Sequence, residues 1–155
     1  MITGEQFYAY CVSPIGLIEL GGTAGALTSL AFVERRRGTV STPLLEDVAG
    51  QLGEYLAGVR RAFDVPIDLR GTEFQRRVWA QLLDIPYGQT ASYGQVANAI
   101  GRPRAARAVG AANRQNPIAI IVPCHRVIGS DGRLIGYGGG LWRKEWLLKH
   151  EGCLT

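Results

Sequence analysis

Lysine and histidine are scarce in this 155-residue chain: Lys144 and Lys149 accompany 15 arginines, and His125 and His150 are the two histidines. Arginine is the cation suited to planar contact with phosphates and bases. The three cysteines, Cys11, Cys124 and Cys153, are odd in number and widely spaced. That excludes a disulfide framework and a CxxC metal pair. No apolar run approaches the roughly 18 residues of a membrane span. Met1 to Val12 has no basic stretch ahead of an apolar one, so a signal peptide is not expected, and the expected setting is the reducing cytoplasm. Charged residues make up 19% of the chain against 46% hydrophobic, which argues against disorder. At this length one or two domains can fold on a real core.

The first part reads as strands. Phe7–Val12, Leu17–Leu20 and Leu27–Val33 are short apolar runs separated by turns, which predicts an antiparallel meander. A polar, arginine-rich stretch, Glu34–Thr42, is expected as an exposed loop. After Pro43, residues Leu44, Leu45, Val48, Leu52, Tyr55 and Leu56 share one helical face, and Gly58 is the expected stop. The second part changes character. Thr72–Gln75 and Ser92–Gln95 are capping boxes that open two helices. A third helix is expected from Pro103–Arg104 to about Arg114. The last two form a helix-turn-helix candidate, and pattern alone leaves DNA binding and a plain core hairpin both open. The third helix has a small-residue surface, Ala105 to Ala112, and carries Arg104, Arg107 and Arg114. A helix of that kind either packs closely in a core or presses its backbone into a groove and inserts one arginine. The expected fold is therefore α+β. A small N-terminal antiparallel sheet with one helix spans residues 1–66. A mainly helical domain over 67–155 follows, with a winged helix-turn-helix-like motif.

The chemistry concentrates near residue 124. The buried run Ile118–Val122 delivers Pro123-Cys124-His125-Arg126-Val127. A histidine and an arginine beside a cysteine can favour its nucleophilic thiolate, although a lone Cys-His pair is more often packing. Val127–Ile135 is expected to form two short strands around the Asp131-Gly132 turn. Gly136-Tyr137-Gly138-Gly139-Gly140 lacks the spacing of a P-loop. It is either a flexible loop or a backbone made to approach a ligand. In the last helix Trp142 and Trp146 are expected in the core, and Glu151 is placed to orient a base.

These residues together resemble the O6-alkylguanine-DNA alkyltransferases. The match rests on Pro123-Cys124-His125-Arg126-Val127, Asn116-Pro117 and Gly136–Gly140. It is joined by Ile85-Pro86-Tyr87-Gly88, Ser92-Tyr93, Ala106-Arg107-Ala108-Val109-Gly110 and Lys144-Glu145-Trp146-Leu147-Leu148. It covers about Phe74 to Glu151. The resemblance implies a single-turnover repair transferase. It flips O6-alkylguanine, and by extension O4-alkylthymine, out of duplex DNA and takes the alkyl group onto Cys124. It implies that His125 takes the thiol proton through a water and that Glu151 holds His125. Asn116 braces the turn, Tyr93 bonds the leaving guanine, and Lys144 polarises the Tyr93 hydroxyl. Tyr137 walls the pocket, the Gly138 N–H bonds O6, and Val127, Ser130 and Gly139 lie near the base. Arg107 replaces the flipped base. Ala106, Ala108, Gly110, Arg114 and Arg126, with Tyr93, face the DNA. Several relatives carry Ser where this chain has Gly138.

No cofactor is implied. A zinc site of the kind some relatives hold near the N-terminus is not expected, because Cys11 stands there without a histidine. The partner implied is double-stranded DNA, entered by the minor groove, bound by a protein that is monomeric in solution, with cooperativity along DNA left open. The competing readings are a non-enzymatic damage-binding module, a helix-turn-helix regulator and a Cys-His hydrolase. Charge adds one discriminating observation. Residues 1–66 hold five basic and seven acidic residues, net −2, and residues 67–155 hold twelve and six, net +6. The overall +4 hides a basic half that carries the helix-turn-helix candidate and Cys124.

Overall fold

The computed structural model describes residues 6–38 and 40–155. Residues 1–5 and Thr39, on which parts of the signal-peptide and loop expectations fall, lie outside the described residues. The chain divides into two compact units, residues 1–69 and 70–155.

In the first unit β1 (Phe7–Ser13), β2 (Gly16–Gly22) and β3 (Leu27–Val33) form an antiparallel meander in the order β1-β2-β3. Ala9 pairs with Leu20 and Leu20 with Leu30, so their side chains share a face across the sheet. Helix α1 (Pro43–Leu56) covers that face with Leu45, Val48, Leu52 and Tyr55, all buried. Thr42 caps its start by accepting from the Leu45 N–H at 3.1 Å. Gly58 follows its end at φ 82°, a left-handed position that glycine occupies without steric cost. The arginine-rich stretch after β3 is tied down. Arg37 forks onto Glu19 at 3.0 and 3.1 Å, and the Tyr10 hydroxyl accepts from the Arg37 and Gly38 N–H groups.

The second unit packs three helices together: α2 (Glu73–Leu82), α3 (Tyr93–Ala99) and α4 (Ala106–Arg114). Both capping boxes are present. Thr72 and Gln75 exchange bonds at 3.1 and 2.9 Å, as do Ser92 and Gln95 at 3.0 and 2.8 Å. Such a cap contributes about 1 kcal/mol. Helix α4 begins at Ala106 rather than at Pro103–Arg104. Arg102 to Ala105 instead form a turn, which the Ala105 N–H closes onto the Arg102 carbonyl at 2.9 Å.

A two-residue strand β4 (Ala91–Ser92) pairs in parallel with β5 (Val127–Ile128). The second strand expected near Arg133–Ile135 does not form. The Gly129 N–H closes the turn onto the Arg133 carbonyl at 2.8 Å, and the Ile135 carbonyl is taken by two side-chain donors rather than by a ladder. The wing is thereby reduced to a turn. Helix α5 (Leu141–His150) buries Lys144, Leu147 and Leu148. That face excludes Trp142, which is 55% exposed and stacked under the Arg143 guanidinium, contrary to its expected core position. Trp146 is partly covered and stacks on the His150 ring.

Candidate active site

Cys124 opens a single 3₁₀ turn, Cys124–Arg126, between the apolar run and β5. The run is a tight irregular segment. Ile120 sits at φ 71°, the one positive φ of a non-glycine residue among the described residues. For a β-branched side chain that is a strained backbone, costing about 1–3 kcal/mol, and it persists only when its surroundings hold it. Asn116 supplies the hold. Its Nδ2 donates to the Val122 carbonyl at 2.7 Å and its Oδ1 accepts from the Ile118 N–H at 3.0 Å.

The Cys124 thiol is buried. Burial pushes its pKa up to about 11, only partly opposed by a hydrogen bond from Asn116 and by the Lys144 charge. The neighbours therefore do not make a resting thiolate, and the nucleophile needs a base. His125 is the adjacent candidate. Burial lowers its pKa, against the opposite pull of Glu151, so the ring is neutral at pH 7. Its Nε2 lies 2.8 Å from Glu151 Oε2. The carboxylate there can only accept, so Nε2 carries the proton and Nδ1 presents its lone pair. Buried Nδ1 has no hydrogen-bond partner among the described residues.

Glu151 is itself clamped. Arg126 donates from Nε to Oε1 at 2.7 Å and from Nη2 to Oε2 at 3.0 Å, while its Nη1 reaches the Ile85 carbonyl at 2.7 Å. The guanidinium also lies 5.8 Å from the centroid of the Tyr87 ring. Arg126 is thus buried and engaged on every nitrogen. The sequence reading sets Arg126 against DNA, whereas the structure holds it inside, on Glu151. Three of its five N–H donors are spent inside the protein, and the side chain is only 7% exposed.

Lys144 is wholly buried on α5. Its Nζ donates to the Val127 carbonyl at 2.6 Å and the Ile135 carbonyl at 2.8 Å, and burial brings its pKa down to about 8. It does not meet the Tyr93 hydroxyl. The Tyr93 OH instead donates to the same Ile135 carbonyl, at 2.8 Å, and Lys144 Nζ lies 5.9 Å from the ring centroid. Tyr93 has its pKa raised, chiefly by burial. Tyr137 is pushed well above its ordinary value for the same reason, an effect that a thiolate at Cys124 would add to, and its buried OH has no partner among the described residues.

Of the remaining expected residues, Val127 is buried in β5, and the Gly139 carbonyl accepts from Arg143 at 2.7 Å. A Cβ on Gly138 would stand 3.3 Å from the Arg114 carbonyl, so a side chain there would be crowded. Ser130 is exposed on the turn after β5. Arg107 is exposed on the first turn of α4. With Tyr93, Ala106, Gly110, Arg114 and Ile135 it lines an open cleft of about 340 Å³. Ala108 is exposed on the same helix.

One residue was not anticipated. Asn113, 1% exposed, donates from Nδ2 to the Cys124 carbonyl at 3.2 Å. A polar residue on the same buried face as Val109 and Ala112 was the signal that could have marked it. Among the described residues no cluster of three or more His, Cys, Asp or Glu side chains could hold a metal ion.

Comparison with known proteins covers both units. Residues 6–69 match the 6-O-methylguanine DNA methyltransferase ribonuclease-like domain, and residues 73–153 match the 6-O-methylguanine DNA methyltransferase DNA-binding domain. A methylated-DNA–protein-cysteine methyltransferase of Mycolicibacterium paratuberculosis is 55% identical over 145 residues, 90% of this chain and 88% of that protein. One from Methanosarcina acetivorans is 47% identical over 155 residues, 95% of this chain and 99% of that protein. The crystal structure of the Mycobacterium tuberculosis O6-methylguanine methyltransferase is similar with a TM-score of 0.88 at 51% identity, over 95% of this chain and 93% of that one. The Mycobacterium tuberculosis structure in complex with DNA gives 0.87 at 51% identity, over 94% and 92%. With both of its units matched and relatives this similar along nearly the whole length, the chain belongs to the 6-O-methylguanine DNA methyltransferase family.

Proposed function

We propose that the protein repairs DNA by moving the alkyl group of O6-alkylguanine onto Cys124, once per molecule. The observation that carries this assignment is the buried relay beside the thiol: a neutral His125 with its Nδ1 lone pair unengaged and its Nε2 held by Glu151. The Cys124 Sγ attacks the alkyl carbon, the carbon–O6 bond breaks, and its electron pair stays on the guanine oxygen. The thiol proton passes through a water to His125 Nδ1, and the resulting imidazolium is stabilised by Glu151. The Tyr93 hydroxyl turns from the Ile135 carbonyl to the departing guanine and lowers the charge developing on it. Gly138 offers its N–H to O6, and Tyr137 walls the base. The product thioether is stable to water, so the protein is consumed.

DNA binds through α4. Ala106, Ala108 and Gly110 let the helix backbone approach closely, which suits the minor groove. Arg107 enters the stack in place of the flipped base, as a target atom inside a duplex requires extrusion. Arg114 lies along the same cleft. The net +6 of residues 67–155 supplies a modest phosphate attraction that weakens with salt. The protein acts as a monomer in the cytoplasm, and the first unit serves as support. The test is the Cys124→Ala variant on duplex containing labelled O6-methylguanine. It retains DNA binding and takes up no label. Label on the variant at the wild-type level would overturn the assignment.

A further inference from the structure

Among the described residues, three buried side-chain polar atoms have no hydrogen-bond partner: Asn113 Oδ1, His125 Nδ1 and Tyr137 OH. All three belong to residues around the nucleophile. His125 follows it in the chain, Tyr137 is near enough that a thiolate there would raise its pKa, and Asn113 bonds its carbonyl at 3.2 Å. Orphaned buried polar groups are costly and concentrate where a structure serves chemistry rather than stability. Two of these residues belong to the reaction proposed above. Asn113 does not, and its place in the fold is distinctive. Helix α4 shows Ala106, Arg107, Gly110 and Arg114 to the cleft and turns Val109, Ala112 and Asn113 inward. One rigid turn of backbone therefore separates the surface that meets DNA from a direct bond to the Cys124 main chain. Asn116, beyond the helix end, grips instead the carbonyl of Val122, two residues before Cys124.

We propose that Asn113 is a positioning residue that couples DNA docking on α4 to alignment of the Cys124 thiol. The proposal rests on the transferase reading. When α4 seats on DNA, the Nδ2 to carbonyl bond transmits the helix position to the 3₁₀ turn that carries Sγ. In-line displacement at carbon is sensitive to the approach of the nucleophile, and a misplacement of about 1 Å can cost about a hundredfold in rate.

Single turnover makes the test clean, because the amplitude of the reaction counts active molecules while the rate constant reports each one. Wild type, Asn113→Leu and Asn113→Asp are compared on saturating O6-methylguanine duplex and on free O6-benzylguanine base. Both variants are near in size to asparagine. The leucine has no donor, and the aspartate turns the donor into an acceptor facing a carbonyl. The expected result is a rate constant on duplex lowered about tenfold to a hundredfold, a distinctly smaller loss on the free base, and unchanged affinity for the duplex. A variant that loses amplitude but keeps its rate constant would show Asn113 to be merely structural and overturn the proposal. Equal loss on duplex and free base would overturn the coupling. Should the leucine variant fail to fold, the aspartate variant decides by the same two readings. A wild-type protein that leaves Cys124 unalkylated would instead overturn the transferase reading itself.

Discussion

Tyr93 and Lys144 converge on one atom, the carbonyl oxygen of Ile135, each donating at 2.8 Å. Lys144 also holds the Val127 carbonyl, so a single buried cation ties β5 to the glycine-rich loop. The Tyr93 hydroxyl can turn away to a substrate without leaving that carbonyl unpaired, because Lys144 remains on it.

Lys144→Met removes this tie. The Val127 carbonyl loses its side-chain donor, at a cost of about 1–3 kcal/mol, and the loop from Ile135 to Gly140 loses its anchor. The expected outcome is a lowered unfolding temperature together with slower transfer. Single-turnover kinetics beside thermal unfolding would check it, and an unchanged transfer rate in folded variant would show that the loop needs no anchor.

The pH profile separates two routes to the nucleophile. Cys124 titrates near pH 11 and His125 below its ordinary value, so from about pH 6.5 to 8 the site holds a thiol and a neutral imidazole throughout. Internal proton transfer then gives a flat rate at saturating DNA across that range. Above about pH 8 Lys144 loses its proton and the rate declines. If the thiol had to ionise into solvent first, the rate would rise about tenfold per pH unit instead.

Arg126 and Arg107 separate on opposite measurements. Arg126→Gln leaves Glu151 without its buried cation, which costs about 3–5 kcal/mol of stability, while the dependence of DNA affinity on salt stays that of wild type. Arg107→Ala leaves stability unchanged, weakens binding to damaged duplex, and slows repair of duplex more than reaction with free alkylguanine. Equal slowing on both substrates would contradict a role in base flipping.

Much of the fold was legible because its signals are local. The three strands, helix α1 and both capping boxes follow from short apolar runs set between turns, a shared helical face and residues three apart. Where the expectation failed, a contact distant in sequence decided. Arg126 reads as a basic residue beside a DNA-binding signature, but its partner, Glu151, is 25 positions away. Residues 133–135 read as a strand, but Tyr93 and Lys144 supply the donors that a ladder would have used. Trp142 reads as core beside Trp146, yet the buried face of α5 is set by Lys144, Leu147 and Leu148. Asn113 was hidden for the same reason, since its role exists only in its bond to Cys124. The site residues near position 124 stood out because they form one contiguous signature, and their family membership is carried by the comparisons over both units.

Glu151→Gln tests the relay without touching the thiol. The amide still accepts from His125 Nε2 but no longer offsets an imidazolium charge, so transfer slows by about a hundredfold or more. A wild-type rate in this variant would remove His125 from the proton path.

The central claim is that Cys124 is the acceptor and acts once. Mass spectrometry of the intact protein and of its peptides, after reaction with excess O6-methylguanine duplex, tests it most directly. The expected result is one methyl group per chain, located on the peptide that holds Cys124, with no further demethylation of DNA after one equivalent. Continued turnover, or a methyl group on Cys11 or Cys153 with Cys124 untouched, would contradict it.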